Sequence, residues 1–152
     1  MKWSFWLLMI IGFVFINENI VHWLLAIKVG GYSISDGYTA ATRYFTWKSF
    51  LFSAYFRAIP YLILALVAVK SRLRFTSQGK TAIWFALAAL LVIHFLGYWG
   101  MQYALYTPDH ISSTASLAVI FIPFHATLLA IIGAAIGYAL ALGVQSALRR
   151  AS

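Results

Sequence analysis

The sequence contains no cysteine and very few charged residues. Its 152 residues include three acidic residues and 11 Lys or Arg, and charged residues make up 9% of the chain. Without cysteine, disulfides, thiolate metal sites and thiol catalysis are excluded. No motif places Ser, His and Asp in a recognisable catalytic context, and no two histidines have the spacing of a zinc site on one helix. We therefore expect a protein that is not an enzyme and has no metal centre.

Apolar residues, in contrast, are in large excess. They make up 63% of the chain, whereas soluble domains contain roughly 45–50%. A chain this short has too little interior to bury so much apolar surface in water. In a bilayer the side chains need no burial, and helices satisfy their own backbone groups. The composition predicts an all-α, polytopic integral membrane protein.

Four segments have the length and apolar character of helices that cross about 30 Å of hydrocarbon. They run approximately from Trp3 to Ile27, Ser49 to Val69, Ala82 to Tyr106 and Ser116 to Val144. Residues 28–48 form the one sizeable connection and include a candidate short amphipathic helix. We therefore predict a single domain over residues 1–152, a four-transmembrane-helix bundle.

Basic residues are unequally divided between the two predicted membrane faces. One face carries seven basic residues and no acidic residue: Lys2, Lys70, Arg72, Arg74, Lys80, Arg149 and Arg150. The opposite face carries three basic and two acidic residues: Lys28, Arg43, Lys48, Asp36 and Asp109. Because basic loops are retained in the cytoplasm, both termini are predicted inside, N-in/C-in. Size and composition favour the bacterial inner membrane.

The basic residues also predict the partners of the chain. Lys70, Arg72, Arg74 and Lys80 form a cluster suited to anionic lipid headgroups. A formal net charge of +8 also suits nucleic acid. However, the basic residues flank the spans and the aromatic residues lie mostly within them. We expect membrane lipids as partners, and no nucleic acid.

Polar side chains interrupt all four predicted spans. They are Asn17, Glu18, Asn19 and His22 in the first span, Arg57 in the second, His94 in the third and His125 in the fourth. At about 1.5 Å per residue, the ionisable ones all fall in the outer half of the membrane. A charge at the bilayer centre costs about 3 kcal/mol. We therefore expect these side chains to face the bundle interior, with Glu18 opposite Arg57.

Helical spacing extends this intramembrane cluster, since residues four apart share a helix face. Two polar stripes result: Ser53, Arg57 and Tyr61 on the second span, and His94, Tyr98 and Gln102 on the third. Such a cluster either fixes how the helices pack or lines a proton, ion or ligand site.

Gly133 and Gly137 stand four residues apart in the fourth span. Small residues at this spacing allow two helices to approach closely in lipid. The partner helix belongs either to this chain or to another membrane protein.

Three functions agree with these features. We expect a small non-enzymatic inner-membrane subunit that associates with a larger complex or with itself, with the polar cluster at its centre. The alternative is an oligomeric transporter or proton/ion conductor in which Glu18 and His22 titrate. The third is a haem- or quinone-binding electron-transfer subunit, because His94 and His125 have the predicted depth of paired axial ligands of haem b. Apart from that possibility, no cofactor is expected.

Overall fold

The computed structural model describes residues 1–107 and 117–151, and this part of the chain is all-helical. Its helices are α1 (Trp3–Phe15), α2 (Glu18–Lys28), α3 (Ile34–Thr42), α4 (Trp47–Lys70), α5 (Ser77–Tyr103) and α6 (Ala118–Ala151), with a 3₁₀ turn at Arg72–Phe75. Asp109 and Ser116, the predicted start of the fourth span, lie outside the described residues.

Three of these helices, α4, α5 and α6, are long and apolar enough to cross a membrane. A fourth span results if α1 and α2 are counted together, although the two are bent by 69° at their junction. The predicted all-helical membrane character is thus confirmed as three or four candidate spans. The first of them is not the continuous helix that the apolar run from Trp3 to Ile27 suggested.

Helix ends differ from the predicted spans where capping residues intervene. α5 begins at Ser77, five residues before the predicted Ala82, because the Thr76 hydroxyl accepts a hydrogen bond from the backbone N–H of Gly79. α4 agrees with its predicted span to within two residues. Hydrophobicity located the membrane-length segments, while side-chain caps hold the first turns of α2, α4 and α5.

The break between α1 and α2 is built by one side chain, Asn17. Its Oδ1 accepts hydrogen bonds from the backbone N–H groups of Asn19 at 2.9 Å and Ile20 at 3.0 Å. Its Nδ2 donates to the carbonyl of Val14 at 2.8 Å. Asn17 therefore satisfies the start of one helix and the end of the other. Backbone groups exposed by the break would otherwise be costly in an apolar interior.

α5 and α6 form the most closely packed pair and run antiparallel. A Cβ atom on Gly133 would lie 2.9 Å from the carbonyl oxygen of Phe85, and one on Gly137 would lie 2.8 Å from the Phe85 Cβ. Only residues without a side chain fit at this contact. The two glycines thus bring α6 against α5 within the chain itself.

Two apolar clusters fill the interior, and buried polar side chains of α4 and α5 lie between them. The larger contains Phe5, Leu64, Ile83, Leu87 and Leu90 among its buried residues, and the smaller contains Val21, Leu25, Tyr98 and Ile122. The buried ring of His94 lies between Tyr61 and Tyr98, with centroid separations of 5.5 and 6.1 Å. The polar side chains of α4 and α5 are therefore enclosed in the middle of the bundle.

The chain segments with the most positive charge lie at one end of the bundle. Lys2 and Lys80 line one cavity together with Trp84, and the Gln78 amide donates a hydrogen bond to the Gln145 carbonyl oxygen. These contacts place the start of α1, the α4–α5 connection and the last turns of α6 side by side. The predicted orientation in the membrane requires this arrangement.

Candidate functional site

A buried ion pair joins α2 to α4. The Glu18 Oε2 atom lies 3.0 Å from the Arg57 Nη1 atom, and the Ser53 hydroxyl donates to the same Oε2 at 2.7 Å. Glu18 is the first residue of α2, where the partial positive charge of a helix N-terminus favours a carboxylate. The break in the first span thus supplies both the position and part of the electrostatic stabilisation of Glu18.

Arg57 is almost completely enclosed, with 1% of its side chain exposed. Its guanidinium carbon lies 5.1 Å from the Phe13 ring centroid and 5.9 Å from that of Phe50. An arginine remains charged at any ordinary pH. Burial of that charge therefore depends on the Glu18 carboxylate, assisted by the faces of the two rings.

Arg57 belongs to a set of six polar side chains on α4 and α5, which we call the polar column. They are Ser53, Arg57 and Tyr61 on α4 and His94, Tyr98 and Gln102 on α5, and all six are buried. The Gln102 amide donates to the backbone carbonyl of Glu18 at 2.8 Å. The two sequence stripes therefore face each other, and the second also contacts α2.

The polar column contains polar atoms that no described protein group satisfies. They are Arg57 Nε, Tyr61 Oη, His94 Nε2, Tyr98 Oη and Gln102 Oε1. The Tyr98 hydroxyl lies close to Arg57 and Ser53 without a hydrogen bond of standard geometry to either. Native interiors leave few such atoms, and each costs about 1–3 kcal/mol. Their clustering gives the column the capacity to hydrogen-bond a polar solute.

An open groove connects this column to the molecular surface. Its volume is about 480 Å³, and its walls are Glu18, Lys48, Ser49, Phe52, Ser53 and Val119. The Glu18 side chain is 15% exposed, so the carboxylate faces the groove on one side and Arg57 on the other. In the opposite direction the column ends at the larger apolar cluster. Leu87 and Leu90 are buried in that cluster.

The structure brings together some of the predicted site residues and separates others. Glu18 and Arg57 are paired, and Asn17 holds the break beside them. His94 is buried in the column, and its Nδ1 is 3.0 Å from the Leu90 carbonyl oxygen. Asn19 is half-buried and bonds to Asn17 only through its backbone N–H. None of these contacts tests whether the cluster has a function, which stays a prediction.

Two predicted members lie elsewhere. His22 is half-buried on α2, where its ring is 5.7 Å from that of Tyr106. His125 is exposed on α6, and its Nδ1 is 2.9 Å from the Phe121 carbonyl oxygen. Counting residues along a span predicts only how deep each histidine lies in the membrane. The bend between α1 and α2 and the rotation of each helix determine which way its side chain points.

The geometry of the histidines gives the haem prediction no support. The His94 ring is enclosed between two tyrosines, and His125 lies on an exposed face. Two axial ligands must reach opposite sides of one flat macrocycle. Among the described residues, no group of three His, Asp or Glu side chains is arranged to hold a metal ion.

Sequence reasoning missed the rings that surround Arg57 and the lysine at the groove. Phe13 precedes the break in the first span, and only the bend brings its ring near Arg57. The sequence places Lys48 in the outer connection, yet it is the second residue of α4 and lines the groove. The Asn17–Glu18 pair was the available signal, since an Asn followed by an acidic residue is typical of a helix start.

The fold is all-helical in the described residues, with three or four candidate membrane spans, and the site is an ion pair buried at the break between α1 and α2. No protein-family model, curated protein or solved structure matches this chain. Its function has to be inferred from the site itself.

Proposed function

We propose that this chain is a small transport protein of the bacterial inner membrane that carries a proton or a small ion through the Glu18–Arg57 site. The observation that supports the proposal is the position of the pair, at a helix break and at the inner end of a groove. A pair that only held helices together would function equally well if it were sealed on all sides. Here Glu18 is open to the groove, and the unsatisfied polar atoms lie behind it.

Broken membrane helices favour this proposal on physical grounds. Non-helical backbone at membrane depth is tolerated where it is buried in protein or lines a cavity. In transporters, half-helix ends point at the bound ion or substrate, because their partial charges are not neutralised by a following turn. α2 begins in this manner at Glu18.

The closed inner end of the polar column favours a carrier over an open pore. Phe5, Leu87 and Leu90 are fully buried between the column and the basic end of the bundle. A solute bound near Arg57 would need a rearrangement of the helices before it could leave on that side. Alternating access of this kind is the usual mechanism of secondary transporters.

A second proposal is a subunit that associates with another membrane chain or with a second copy of itself. The exposed imidazole of His125 favours it, because one ring nitrogen is bonded to the Phe121 carbonyl oxygen and lipid tails offer no partner to the other. Gly133 and Gly137 do not add to this proposal, since both already pack against Phe85 on α5.

Proton flux into liposomes tests the transport proposal. Purified protein would be reconstituted with a pH-sensitive dye inside, and an acid pulse would be applied with the membrane potential clamped. We expect flux in the wild type and at least a tenfold loss in Glu18→Gln, since a charge-assisted hydrogen bond contributes about 1.5–3 kcal/mol. Asp36→Asn is the matched control, because Asp36 bonds to Ser33, the residue just before α3, and is not among the residues that line the groove.

Ser53→Ala provides a second variant in case Glu18→Gln does not fold, because it keeps both charges and removes one hydrogen bond to Glu18. An intermediate loss of flux is expected. Flux that is equal in all four proteins would contradict transport through this site. If no flux occurs and a second chain co-purifies stoichiometrically in mild detergent, the subunit proposal replaces it.

A further inference from the structure

We infer that the solute is a small anion with a carboxylate-type head, which binds Arg57 while a proton binds Glu18. This inference rests on the proposed transport function and specifies its substrate class. In the bound state, the anion replaces Glu18 as the counterion of Arg57, and the displaced Glu18 carboxyl is neutral. The anion and one proton therefore enter and leave the site together.

The charges around the groove favour an anion. Lys48 stands at the groove wall and Arg57 behind it, while Glu18 is the one carboxylate of the groove lining. With all three ionised, the groove has an excess positive charge. Glu18 is already bonded to Arg57 and to Ser53. A cation would have to compete with Arg57 for that single carboxylate, whereas an anion is attracted by both basic side chains.

Arg57 has the donors that such an anion requires. Its permanent charge must always be matched by a negative group, because it is buried. One of its nitrogens, Nη1, bonds to Glu18, and its Nε has no partner in the described structure. Planar carboxylates bind a guanidinium through two parallel hydrogen bonds. Arg57 can therefore exchange a single-nitrogen contact with Glu18 for a two-point contact with a solute.

Glu18 is placed to take up the proton when this exchange occurs. The groups facing it are Ser53 and Arg57 on α4, Tyr98 and Gln102 on α5, and Lys48 at the groove. Of these, only Arg57 is both charged and within ion-pair distance. Once an anion holds Arg57, the Glu18 carboxylate is left beside a second negative charge in a largely buried position. Both effects favour its protonated form.

The shape of the groove limits the size of the anion. A volume of about 480 Å³ lies at the lower end of the range of small-molecule sites. Phe52 and Val119 provide apolar walls beside the polar end formed by Glu18 and Ser53. A short carboxylic acid with a small apolar tail matches this division better than a fully hydrated inorganic ion does.

Calorimetric titration in detergent tests the inference with four probes: formate, acetate, lactate and benzoate. Measurements in buffers of different ionisation enthalpy give the number of protons taken up with each anion. For the wild type at neutral pH we expect binding of at least one probe with uptake of one proton. The Asp36→Asn control should behave in the same way, and tetramethylammonium, a cation of similar size, should not bind.

Glu18→Gln gives the decisive result. A glutamine resembles the protonated carboxyl, so this variant should bind the same anion without proton uptake, at least tenfold more tightly at neutral pH, and independently of pH. Its melting temperature should also rise more on anion addition than that of the wild type. The double variant Glu18→Gln/Arg57→Gln, which removes both charges, should not bind.

Other outcomes contradict the inference. Failure of all four anions to bind the wild type, or binding that is unchanged in the double variant, would overturn it. Binding without proton uptake by the wild type would also overturn it. If anions fail to bind but proton flux still depends on Glu18, the substrate class is wrong and the transport function stands. If anions bind as expected but liposomes with the bound anion on both sides show no proton flux above that of protein-free liposomes, the transport function is wrong instead.

Discussion

Arg57 carries a positive charge in the interior of the protein. Only 1% of its side chain is exposed, and it cannot lose its charge as a buried acid can. Glu18 is less constrained, since it is 15% exposed and a carboxyl group without its partner can take up a proton. The two members of the pair should therefore differ in what their removal costs.

A variant series would measure how strongly the buried charge of Arg57 depends on its counterion. Glu18→Met leaves the buried charge of Arg57 unpaired and should lower the free energy of unfolding by about 3–5 kcal/mol. The double variant Glu18→Met/Arg57→Met removes both charges and should be more stable than Glu18→Met alone. Unfolding in detergent, followed by circular dichroism, would provide the comparison. A double variant that is less stable than Glu18→Met would show that Arg57 does not need its counterion.

The residues of the polar column were largely predictable from the sequence. Spacing by four placed Arg57 with Tyr61 on one face and His94 with Tyr98 on another, and polar faces in lipid turn toward protein. The position of His125 was not predictable in the same manner. It has no polar residue four positions away on α6, so no polar stripe on that helix indicated where its ring would point.

Among the helices, the pair α1–α2 differs most from its prediction. Apolar residues continue on both sides of the break, and this pattern predicts one continuous span from Trp3 to Ile27. Hydrogen bonding by Asn17 overrides that pattern. The cost of ending a helix in an apolar environment arises from unpaired backbone groups, and one amide side chain offsets it in both directions.

Replacement of Asn17 tests this role of the break. Asn17→Ala should lower the free energy of unfolding by about 1–2 kcal/mol, the usual cost of losing an N-cap. Asn19→Ala is the control, because its backbone N–H still bonds to Asn17 and its effect should stay within about 0.5 kcal/mol. Thermal unfolding in detergent would measure both. Equal effects of the two substitutions would mean that the cap does not hold the break.

For the whole molecule, the sequence predicted the helical class and the separation of charge, and the structure places the basic segments at one end. The helical class follows from composition, and the separation of charge follows from the order of the segments along the chain. Neither depends on how the helices rotate. The arrangement of helices around α5 was not predictable. It depends on close contacts such as those of Gly133 and Gly137 with Phe85, and a glycine pair does not specify which helix it meets.

Labelling of single cysteines tests the predicted orientation, and the absence of native cysteine removes any background. Ser77→Cys lies at the start of α5 beside the basic connection, and Ser35→Cys lies in α3; both serines are exposed. In intact bacterial cells, a membrane-impermeant maleimide should label Ser35→Cys and leave Ser77→Cys unlabelled until the membrane is opened. The reverse pattern would place the termini outside.

The tight contact between α5 and α6 has a mechanical consequence. Because the contact leaves no room for a methyl group, we expect α5 and α6 to move together as one rigid unit. α1 and α2 are joined through a two-residue hinge that a single side chain holds, and Glu18 stands at that hinge. In the proposed carrier we therefore expect the movement that opens the inner end of the column to occur at the α1–α2 junction, where loss of the Glu18–Arg57 bond would free α2 from α4.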